Sequence, residues 1–567
     1  MKKLAKALCL VLSVVMIVSM LAACGGGSGD GGAADSGSAE ADVPDGGSDS
    51  GAPAAGERVH LNLVMTGGLD NVDPAYNYSM DSMQIISLTD QGLMTFDNEG
   101  HVTEGLAESY EVSEDGKTYT FHIRDAVWSN GDPVTANDFL YSWRRLTDPA
   151  TGSAYSFMLY VLGVNNALDC ALGNLPVEEL GISAPDDHTF VVEIDGARPY
   201  FLYLTAMASY FMAVNQEYCE ANGDEFGMDI DHYLACGPYM ISDWEPGANS
   251  VTLVANPTYY AADEVTCEEL TFNVVTDASA QIMGWDRGDY DYIGLSGDYV
   301  QMYADDPALT ISDMAAMYFL SFNIGDESLQ NENLRMALSL AIDKETIVNS
   351  LLNNGSLVAD YIIPDTFAVD ENGVDYRDRI GNPIYNHCDK EQAAELFATA
   401  LTELGVSDLT LELLYDNSTI TDELAAFLKS EWETTLPGLT INLRATTYNG
   451  RLEDMGAHNY QIGFTRWYAD YQDALTYLDM WISTSQMNYG QYNNPDYDAL
   501  YYQVTGELAL DTEGREAAMT EMEAMILGDE AICPIYQLAS CSLANTDYHW
   551  VKNVAGVVQY QFVDWAN

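Results

Sequence analysis

One short run of residues has the composition of a ligand-binding site: Arg466-Trp467-Tyr468-Ala469-Asp470-Tyr471. It combines a guanidinium, a carboxylate and three aromatic rings at the point where a predicted strand gives way to a predicted helix. Asp470 has two interpretations. An aspartate at the start of a helix most often caps it by accepting a backbone N–H, whereas a carboxylate at the mouth of a crevice pairs with a cation on a ligand. The local pattern is compatible with both.

Sequence motifs of catalytic and metal sites are absent from the chain. The eight histidines are isolated, and the seven cysteines that follow Cys24 contain no Cys-x-x-Cys spacing. The run from Gly294 to Gly297 misses the Gly-x-Ser-x-Gly nucleophile pattern by one residue. Among 88 acidic residues, close carboxylate pairs such as Asp289 and Asp291 are expected by chance. The sequence therefore predicts no enzyme, no metal site and no cofactor.

Hydrophobic periodicity predicts the elements that would position the 466–471 run. Alternation over 119–123 predicts a half-buried strand, and Thr135 with Asp138 predicts a capping box at the start of a helix. Further strands are predicted at 409–414, 439–446 and 460–467, and further helices at 334–342, 423–432 and 473–482. This alternation of strands and helices favours open α/β sheets, whose ligands lie in a crevice at the strand ends.

The first 24 residues resemble the leader of a bacterial lipoprotein. Three lysines among the first six residues precede an uncharged apolar stretch at 7–20, which is short for a bilayer-spanning helix. The stretch ends in Leu21-Ala22-Ala23-Cys24, which resembles a lipobox. We therefore expect cleavage after residue 23 and membrane attachment through acyl chains on Cys24. An ordinary signal peptide or a single-pass anchor is the alternative.

Residues 25–56 have the composition of a flexible tether. They are almost entirely Gly, Ala, Ser, Asp and Glu, with no Lys or Arg. Such a stretch cannot bury enough apolar surface to offset its ordering entropy, and as a coil its ends would average roughly 30 Å apart. A spacer directly after a lipid suits a domain that works beyond a cell wall, which favours a Gram-positive organism.

The rest of the chain has the length and composition of a folded protein with two or three lobes. Hydrophobic residues make up 47% of the sequence, and the formal net charge is −67. A surface this acidic argues against nucleic-acid binding, which needs a basic face. We expect a monomer.

Residues 107–146 closely resemble the signature region of the oligopeptide-binding proteins of bacterial ABC importers. These proteins belong to family 5 of the extracellular solute-binding proteins, which also serves dipeptides, nickel and some sugars. The resemblance continues in the family's order through residues 237–239, 256–260, 322–323, 333–338, 341–343 and 533–536. It implies an α/β, periplasmic-binding-protein-like fold (type II, cluster C) with two hinged lobes and an extra inserted lobe.

The resemblance also implies domain boundaries. After the leader at 1–23 and the tether at 24–56, they are 57–90, 213–316 and 534–567 for lobe I, 91–212 for the inserted lobe II, and 317–533 for lobe III.

The resemblance assigns roles to particular residues. Asp470 would pair with the free α-amino group of a peptide. The backbone at Trp467 and Tyr468, and that around Met80, would hydrogen-bond the peptide as an added strand, which reads the main chain and tolerates any side chain. Tyr155 would line the cleft; the alternative is a tyrosine packed in the core.

Departures from the family concern the far end of the ligand. Arg466 stands where oligopeptide-binding members usually have glycine, and Tyr468 stands where they have a cysteine, so their disulfide in that lobe is not expected here. Positions where some members place Lys or Arg to meet the peptide's carboxylate are occupied by Leu352, Met455 and Phe464. Arg466, or alternatively Arg451, would supply that cation from another place, which suits a short or altered ligand.

The expected function is therefore that of a lipid-anchored, substrate-binding protein on the outer face of the cell membrane, which captures peptides for the permease of an ABC importer. Two alternatives stay open. The same fold would serve an oligosaccharide or a metal chelate, or the protein would act as a peptide sensor or chaperone that is not coupled to uptake. The presence of Asp470 favours a ligand with an amine.

Overall fold

The computed structural model describes residues 58–77, 79–297, 299–369, 374–381, 387–553 and 556–566. The predicted acylation site Cys24 and the tether at 25–56 lie outside these residues. Within the described ranges, no helix has the length and hydropathy needed to cross a bilayer. The same ranges contain no cluster of three or more His, Cys, Asp or Glu side chains that could hold a metal ion.

The described strands, in chain order, are β1 Val59–Met65, β2 Met94–Phe96, β3 Val102–Glu104, β4 Ala107–Val112, β5 Thr118–Ile123, β6 Ile182–Asp186, β7 Thr189–Glu193, β8 Tyr239–Asp243, β9 Ser250–Ala255, β10 Cys267–Val274, β11 Tyr292–Leu295, β12 Leu309–Phe322, β13 Leu357–Val358, β14 Leu409–Asp416, β15 Leu439–Thr446, β16 Ile462–Tyr468, β17 Ile532–Ala544, β18 Tyr548–His549 and β19 Asp564–Trp565.

The described α-helices are α1 Met80–Thr89, α2 Ala136–Thr147, α3 Met158–Val161, α4 Ala167–Ala171, α5 Phe201–Met207, α6 Gln216–Asn222, α7 Ala278–Arg287, α8 Tyr299–Met302, α9 Glu332–Leu340, α10 Lys344–Thr346, α11 Tyr376–Ile380, α12 Lys390–Leu404, α13 Thr419–Thr435, α14 Tyr448–Gly456, α15 Pro495–Val504 and α16 Thr512–Gly528.

One large mixed sheet runs through the molecule in the order β15-β14-β16-β12-β17-β11-β1-β10-β9-β8, with β13 paired to β17. Strands β14 and β15 are parallel, as are β1 and β10, whereas β12 is antiparallel to both of its neighbours. A separate antiparallel sheet has the order β4-β5-β7-β6. The predicted α/β architecture is confirmed.

Local sequence signals correctly placed several elements. Side chains of β5 alternate between buried and partly exposed along the strand, as the predicted half-buried strand requires. At the start of α2, the backbone N–H of Thr135 donates to the Asp138 carboxylate at 2.7 Å, which is one half of the predicted capping box. The apolar stripe of α2 is buried, including Phe139 and Trp143. Strands β14, β15 and β16 and helices α9 and α13 lie where they were predicted, with shifts of a few residues at their ends.

The prediction of a helix at 473–482 is wrong. Two short 3₁₀ segments, Ala474–Tyr477 and Asp479–Trp481, occupy this stretch. Both are held by long-range or local side-chain bonds: the Tyr477 hydroxyl donates to the carbonyl of Ala315 at 2.6 Å, and the Trp481 indole N–H donates to the carbonyl of Tyr477 at 3.1 Å. Most side chains of the stretch are buried, so it lacks the solvent face of an amphipathic helix.

Strands β12 and β17 are the long elements of the central sheet, with 14 and 13 residues. Their register shifts part of the way along, because Asp313 faces Ala539 whereas Met317 faces Gln537. Three residues of β12, at 314–316, therefore stand opposite one residue of β17, which makes a wide bulge. The boundary predicted between lobes I and III falls at this bulge; the lobe boundaries themselves stay predictions.

One hydrophobic core joins the four-stranded sheet to the end of β16. It contains Phe121 and Trp143 on one side and Trp467 and Trp481 on the other. Packing across these elements therefore brings the predicted lobes II and III together. The seven cysteines within the described residues are free thiols, and six of them are buried. Tyr468 stands where family members have a disulfide-forming cysteine, and these seven cysteines form no disulfide elsewhere.

Candidate ligand-binding cleft

The carboxyl ends of three strands of the large sheet lie side by side. Strands β14, β15 and β16 run in the same direction and end at Asp416, Thr446 and Tyr468. In open α/β sheets, ligands bind outside the carboxyl ends of the strands. Arg466, which is the third-last residue of β16, and Asp470, two residues beyond its end, therefore lie at the edge where a ligand is expected.

The carboxylate of Asp470 has no cation partner in the part of the chain that the structure describes. Its backbone N–H donates to the Thr476 hydroxyl at 3.2 Å, but among the described residues no side chain forms an ion pair or a hydrogen bond with the carboxylate. Burial raises the pKa of Asp470 well above its ordinary value, and the nearby carboxylate of Asp479 raises it further. The helix-cap interpretation is wrong, because Asp473 caps the segment that follows by accepting the N–H of Leu475 at 2.9 Å.

Two further acids lie in the segment that follows Asp470 and differ in how they are compensated. Asp473 is paired with Arg515 through two hydrogen bonds of 2.7 and 2.8 Å, so its charge is neutralised. Asp479 accepts a hydrogen bond of 2.6 Å from the Tyr471 hydroxyl. Burial raises the pKa of Asp479 to about 7. Burial therefore disfavours the ionised forms of Asp470 and Asp479, and a cationic group bound at this end of the cleft would stabilise them.

Stacked tyrosines enclose the acidic end. The rings of Tyr471 and Tyr200 lie parallel at 3.7 Å between centroids, and those of Tyr155 and Tyr210 at 4.8 Å. The pKa of Tyr210 is raised well above its ordinary value by burial, with contributions from Tyr155 and Asp470. Tyr155 is only 1% exposed, and its hydroxyl has no hydrogen-bond partner among the described residues. The structure thus supports the packed-core interpretation of Tyr155 over the cleft-lining one.

Arg466 belongs to a cluster with two guanidinium groups and one carboxylate. Its Nη1 donates to both oxygens of Asp416 at 3.1 and 3.0 Å, and Arg451 Nε donates to the same carboxylate at 2.7 Å. Burial opposes ionisation, but the two arginines hold the pKa of Asp416 below its ordinary value. The cluster therefore carries one net positive charge. Because Arg451 is fully buried, only Arg466 has an exposed part that a ligand would reach.

Aromatic rings flank this cationic end of the cleft. The Arg466 guanidinium lies 5.7 Å from the ring centre of Tyr318 and 5.0 Å from that of Tyr448, which are cation–π distances. The side chains of Leu352, Met455 and Phe464, where the resemblance to the family placed a cation, are buried. Arg451 Nη2 is also buried without a hydrogen-bond partner within the described part of the chain.

Strand β16 has a partly free main-chain edge. On one side, its residues 462–468 pair with β12, whereas on the other side β14 pairs only with Ile462 and Gly463. Within the described sheet, the edge from 464 to 468 therefore has no strand partner, which is the geometry needed for an added strand. Trp467 is buried and Tyr468 partly exposed on this stretch.

The peptide contact predicted around Met80 falls at the start of a helix, and Ser79, directly before Met80, has an extended backbone. Met80 is the first residue of α1, and the Ser79 hydroxyl caps the helix by accepting the N–H of Ser82 at 3.1 Å. The first N–H groups of a helix have no acceptor within it. Met80 thus offers the N-terminus of a helix rather than a strand edge.

A cavity of about 560 Å³ lies at the opposite ends of the same three strands. Several of its polar side chains are already paired: Gln461 donates to Asp326 at 3.0 Å, and Glu412 pairs with Arg444, outside the cavity lining, at 3.0 Å. Because the Asp470 carboxylate has no such partner among the described residues, the carboxyl ends of the strands are the stronger candidate.

Sequence reasoning missed two acids of the cleft. Asp416 had a signal, because it lies two residues beyond the end of the strand predicted at 409–414, and the ends of such strands bind ligands. Asp479 had none, because the helix predicted around it does not form.

Comparisons with known proteins agree with the fold. Residues 101–489 match the family model described as bacterial extracellular solute-binding proteins, family 5 middle. The dipeptide-binding protein DppE of Bacillus subtilis is 28% identical over 490 residues, which cover 86% of this chain and 87% of DppE.

Two solved structures illustrate the similarity in three dimensions. OppA of Listeria monocytogenes bound to peptide is 29% identical with a TM-score of 0.69, covering 90% of this chain and all of that one. The unliganded open form of the murein tripeptide-binding protein MppA is 25% identical with a TM-score of 0.77, over 90% and 98% of the two chains. The two-lobed, periplasmic-binding-protein-like fold that was predicted is therefore confirmed.

Proposed function

The chain belongs to family 5 of the bacterial extracellular solute-binding proteins, and on that basis we propose that it captures peptides outside the cell and delivers them to the permease of an ABC importer. Relatives named as dipeptide- and oligopeptide-binding proteins support peptides as the ligand class. The single observation that carries the proposal is the carboxylate of Asp470, which is held in the cleft without a cation among the described residues.

Asp470 pairs with the α-amino group of the peptide in this proposal. In a cleft that excludes water, a fixed carboxylate stabilises a bound cation. A peptide with an uncharged amino end would leave the carboxylate without a partner. Asp479 is a second carboxyl group near Asp470, whereas Asp473 is occupied by Arg515. A peptide with a free amino terminus therefore binds most favourably in the direction that brings its ammonium group to Asp470.

The peptide main chain adds a strand to the free edge of β16 at Trp467 and Tyr468. Such pairing uses the N–H and C=O groups that all peptides share, so it provides affinity without selecting a sequence. Helix α1 contributes the N–H groups at Met80, which suit a carbonyl or carboxylate acceptor rather than an added strand.

Arg466 meets the carboxylate of the peptide. The Arg451–Asp416–Arg466 cluster has one more cation than anion, and Arg466 is the member with an exposed part. Asp416 holds the guanidinium in place, which lowers the entropy that a ligand carboxylate must overcome to bind it. The short separation along β16 between Arg466 and Asp470 favours short peptides.

The lipid on Cys24 and the tether at 25–56 keep the binding domain at the outer face of the cell membrane, within reach of the importer. The composition of the tether favours a Gram-positive envelope. We propose that the protein works as a monomer.

Mass spectrometry of ligands retained by the purified protein tests the proposal directly. We expect peptides with free amino termini. Calorimetry with a tripeptide and its N-acetylated form gives the matched comparison, in which acetylation weakens binding strongly. Recovery of sugars or metal chelates, or equal affinity for both tripeptides, would overturn the proposal. Radioactive peptide uptake by cells lacking the gene distinguishes an importer component from a sensor.

A further inference from the structure

The wide bulge in β12 is held by hydrogen bonds from outside the strand. The carbonyl of Ala315 accepts two of them, from the backbone N–H of Ala469 at 3.0 Å and from the Tyr477 hydroxyl at 2.6 Å. The carbonyl of Met314 accepts a third, from the side-chain amide of Gln537 at 3.1 Å. The bulge is therefore fixed from both sides, by β17 and by the segment that follows β16.

Gln537 uses its whole side-chain amide in this role. It is fully buried at the position of β17 that faces the end of the bulge. Its Nε2 donates to the carbonyls of Met314 and Asp365, at 3.1 and 2.9 Å. Its Oε1 accepts from the Tyr361 hydroxyl at 3.1 Å and from the N–H of Asp365 at 2.9 Å. A glutamine with four bonds in the interior fixes the backbone around it.

Asp470 is the next residue along this chain of contacts. It directly follows Ala469, whose N–H binds the bulge, and the hydroxyl of Tyr477 binds the same carbonyl of Ala315. The Asp470 carboxylate also raises the pKa of Tyr477, so the two side chains are near neighbours. A shift of the bulge would consequently move the Asp470 carboxylate relative to the rest of the cleft.

We propose that Gln537 is a positioning residue, which fixes the bulge at 314–316 and thereby holds Asp470 where it recognises a free amino terminus. The inference rests on the proposed function, because it needs Asp470 to bind the peptide's amino group. Gln537 itself does not touch the ligand. Since supporting hydrogen bonds hold a binding group to within fractions of an ångström, their loss shows first in selectivity.

The test compares the affinity for a tripeptide with that for its N-acetylated form, measured by calorimetry. Gln537→Met keeps the size of the side chain and removes its hydrogen bonds, and Tyr477→Phe removes only the hydroxyl that binds Ala315. We expect the ratio of the two affinities to fall by about tenfold in Gln537→Met and by a smaller factor in Tyr477→Phe. If Gln537→Met does not fold, Tyr477→Phe decides.

The matched control is Ser339→Ala. Ser339 is fully buried, and its hydroxyl donates to Glu530 at 2.8 Å, on α9 rather than at the bulge. We expect it to lose stability but keep the wild-type ratio. An equal loss of affinity for both peptides in Gln537→Met would overturn the proposal, because a purely structural role predicts that result.

Asp470→Asn separates the two levels of the argument. If it leaves the ratio unchanged, the proposed function is refuted, and this inference with it. If Asp470→Asn abolishes the preference for a free amino group while Gln537→Met and Tyr477→Phe keep it, the inference alone is refuted.

Discussion

Replacing Asp470 by asparagine removes the charge of the carboxylate and keeps its shape. Removal of one member of a charge pair in a desolvated cleft costs about 2–4 kcal/mol of binding free energy. At about 1.4 kcal/mol per factor of ten, the affinity for a tripeptide should fall roughly 30- to 1000-fold. The N-acetylated tripeptide, which lacks the cation, should lose little. Isothermal titration calorimetry on both ligands measures the two changes directly.

The same substitution should change the pH dependence of binding. Burial raises the pKa of Asp470 well above its ordinary value in the ligand-free protein, and a bound ammonium would lower it. Affinity is then highest above the raised pKa of Asp470 and below the pKa of the peptide's amino group, near 8. As the pH falls through the raised pKa, binding must displace a proton, and affinity drops. In Asp470→Asn, the part of this acid limb that Asp470 causes should be lost.

Stability should move in the opposite direction from affinity. Because folding raises the pKa of Asp470, its ionised form destabilises the folded protein at any pH above the unfolded pKa, and fully so above the folded one. At neutral pH, ligand-free Asp470→Asn should therefore melt at a higher temperature than the wild type, and the difference should vanish in acid. Unchanged tripeptide affinity in the variant would refute the role of Asp470 in binding. A melting temperature below that of the wild type would refute the linkage argument.

Three further variants test other parts of the structure. Arg466→Ala should weaken binding of a tripeptide by about tenfold but leave its C-terminally amidated form unaffected, and equal losses in calorimetry would contradict a contact with the carboxylate. Glu523→Gln leaves the buried Arg377 without its counter-charge, so urea denaturation should show a loss of about 3 kcal/mol; a loss below 1 kcal/mol would show that the pair is compensated. Tyr200→Ala removes the stack on Tyr471, worth about 1 kcal/mol, and should lower peptide affinity roughly fivefold; an unchanged dissociation constant would mean that the stack does not support the closed cleft.

Local patterns were sufficient for much of the fold. Strand β5 and helix α2 follow from alternation and from the Thr135 capping box, because neighbouring residues determine both. The prediction of a helix at 473–482 was wrong for the opposite reason. Its apolar spacing fits a helix, but Tyr477 and Trp481 are both buried and bonded to main-chain carbonyls, so tertiary packing overrides propensity.

Individual residues of the candidate site were predictable from the sequence, but the pairing between their side chains was not. Asp470 and Arg466 stand out in sequence as charged residues at the end of a strand. The partner of Arg466 is Asp416, 50 residues earlier, and such a pairing depends on strand order. The bulge at 314–316 is likewise invisible locally, because a bulge is a mismatch between two strands that lie far apart in the chain.

The free edge of β16 has a consequence for solubility. An unpaired strand edge is a template on which other chains aggregate, and soluble proteins usually shorten, charge or cover such edges. Here the edge at 464–468 contains Arg466, which is paired with Asp416, and ends two residues before Asp470. Charged side chains at such an edge are one device by which proteins oppose pairing with the sheet of a second molecule. The charges of Arg466 and Asp470 would therefore act against aggregation through this edge while they select a peptide with complementary charged ends.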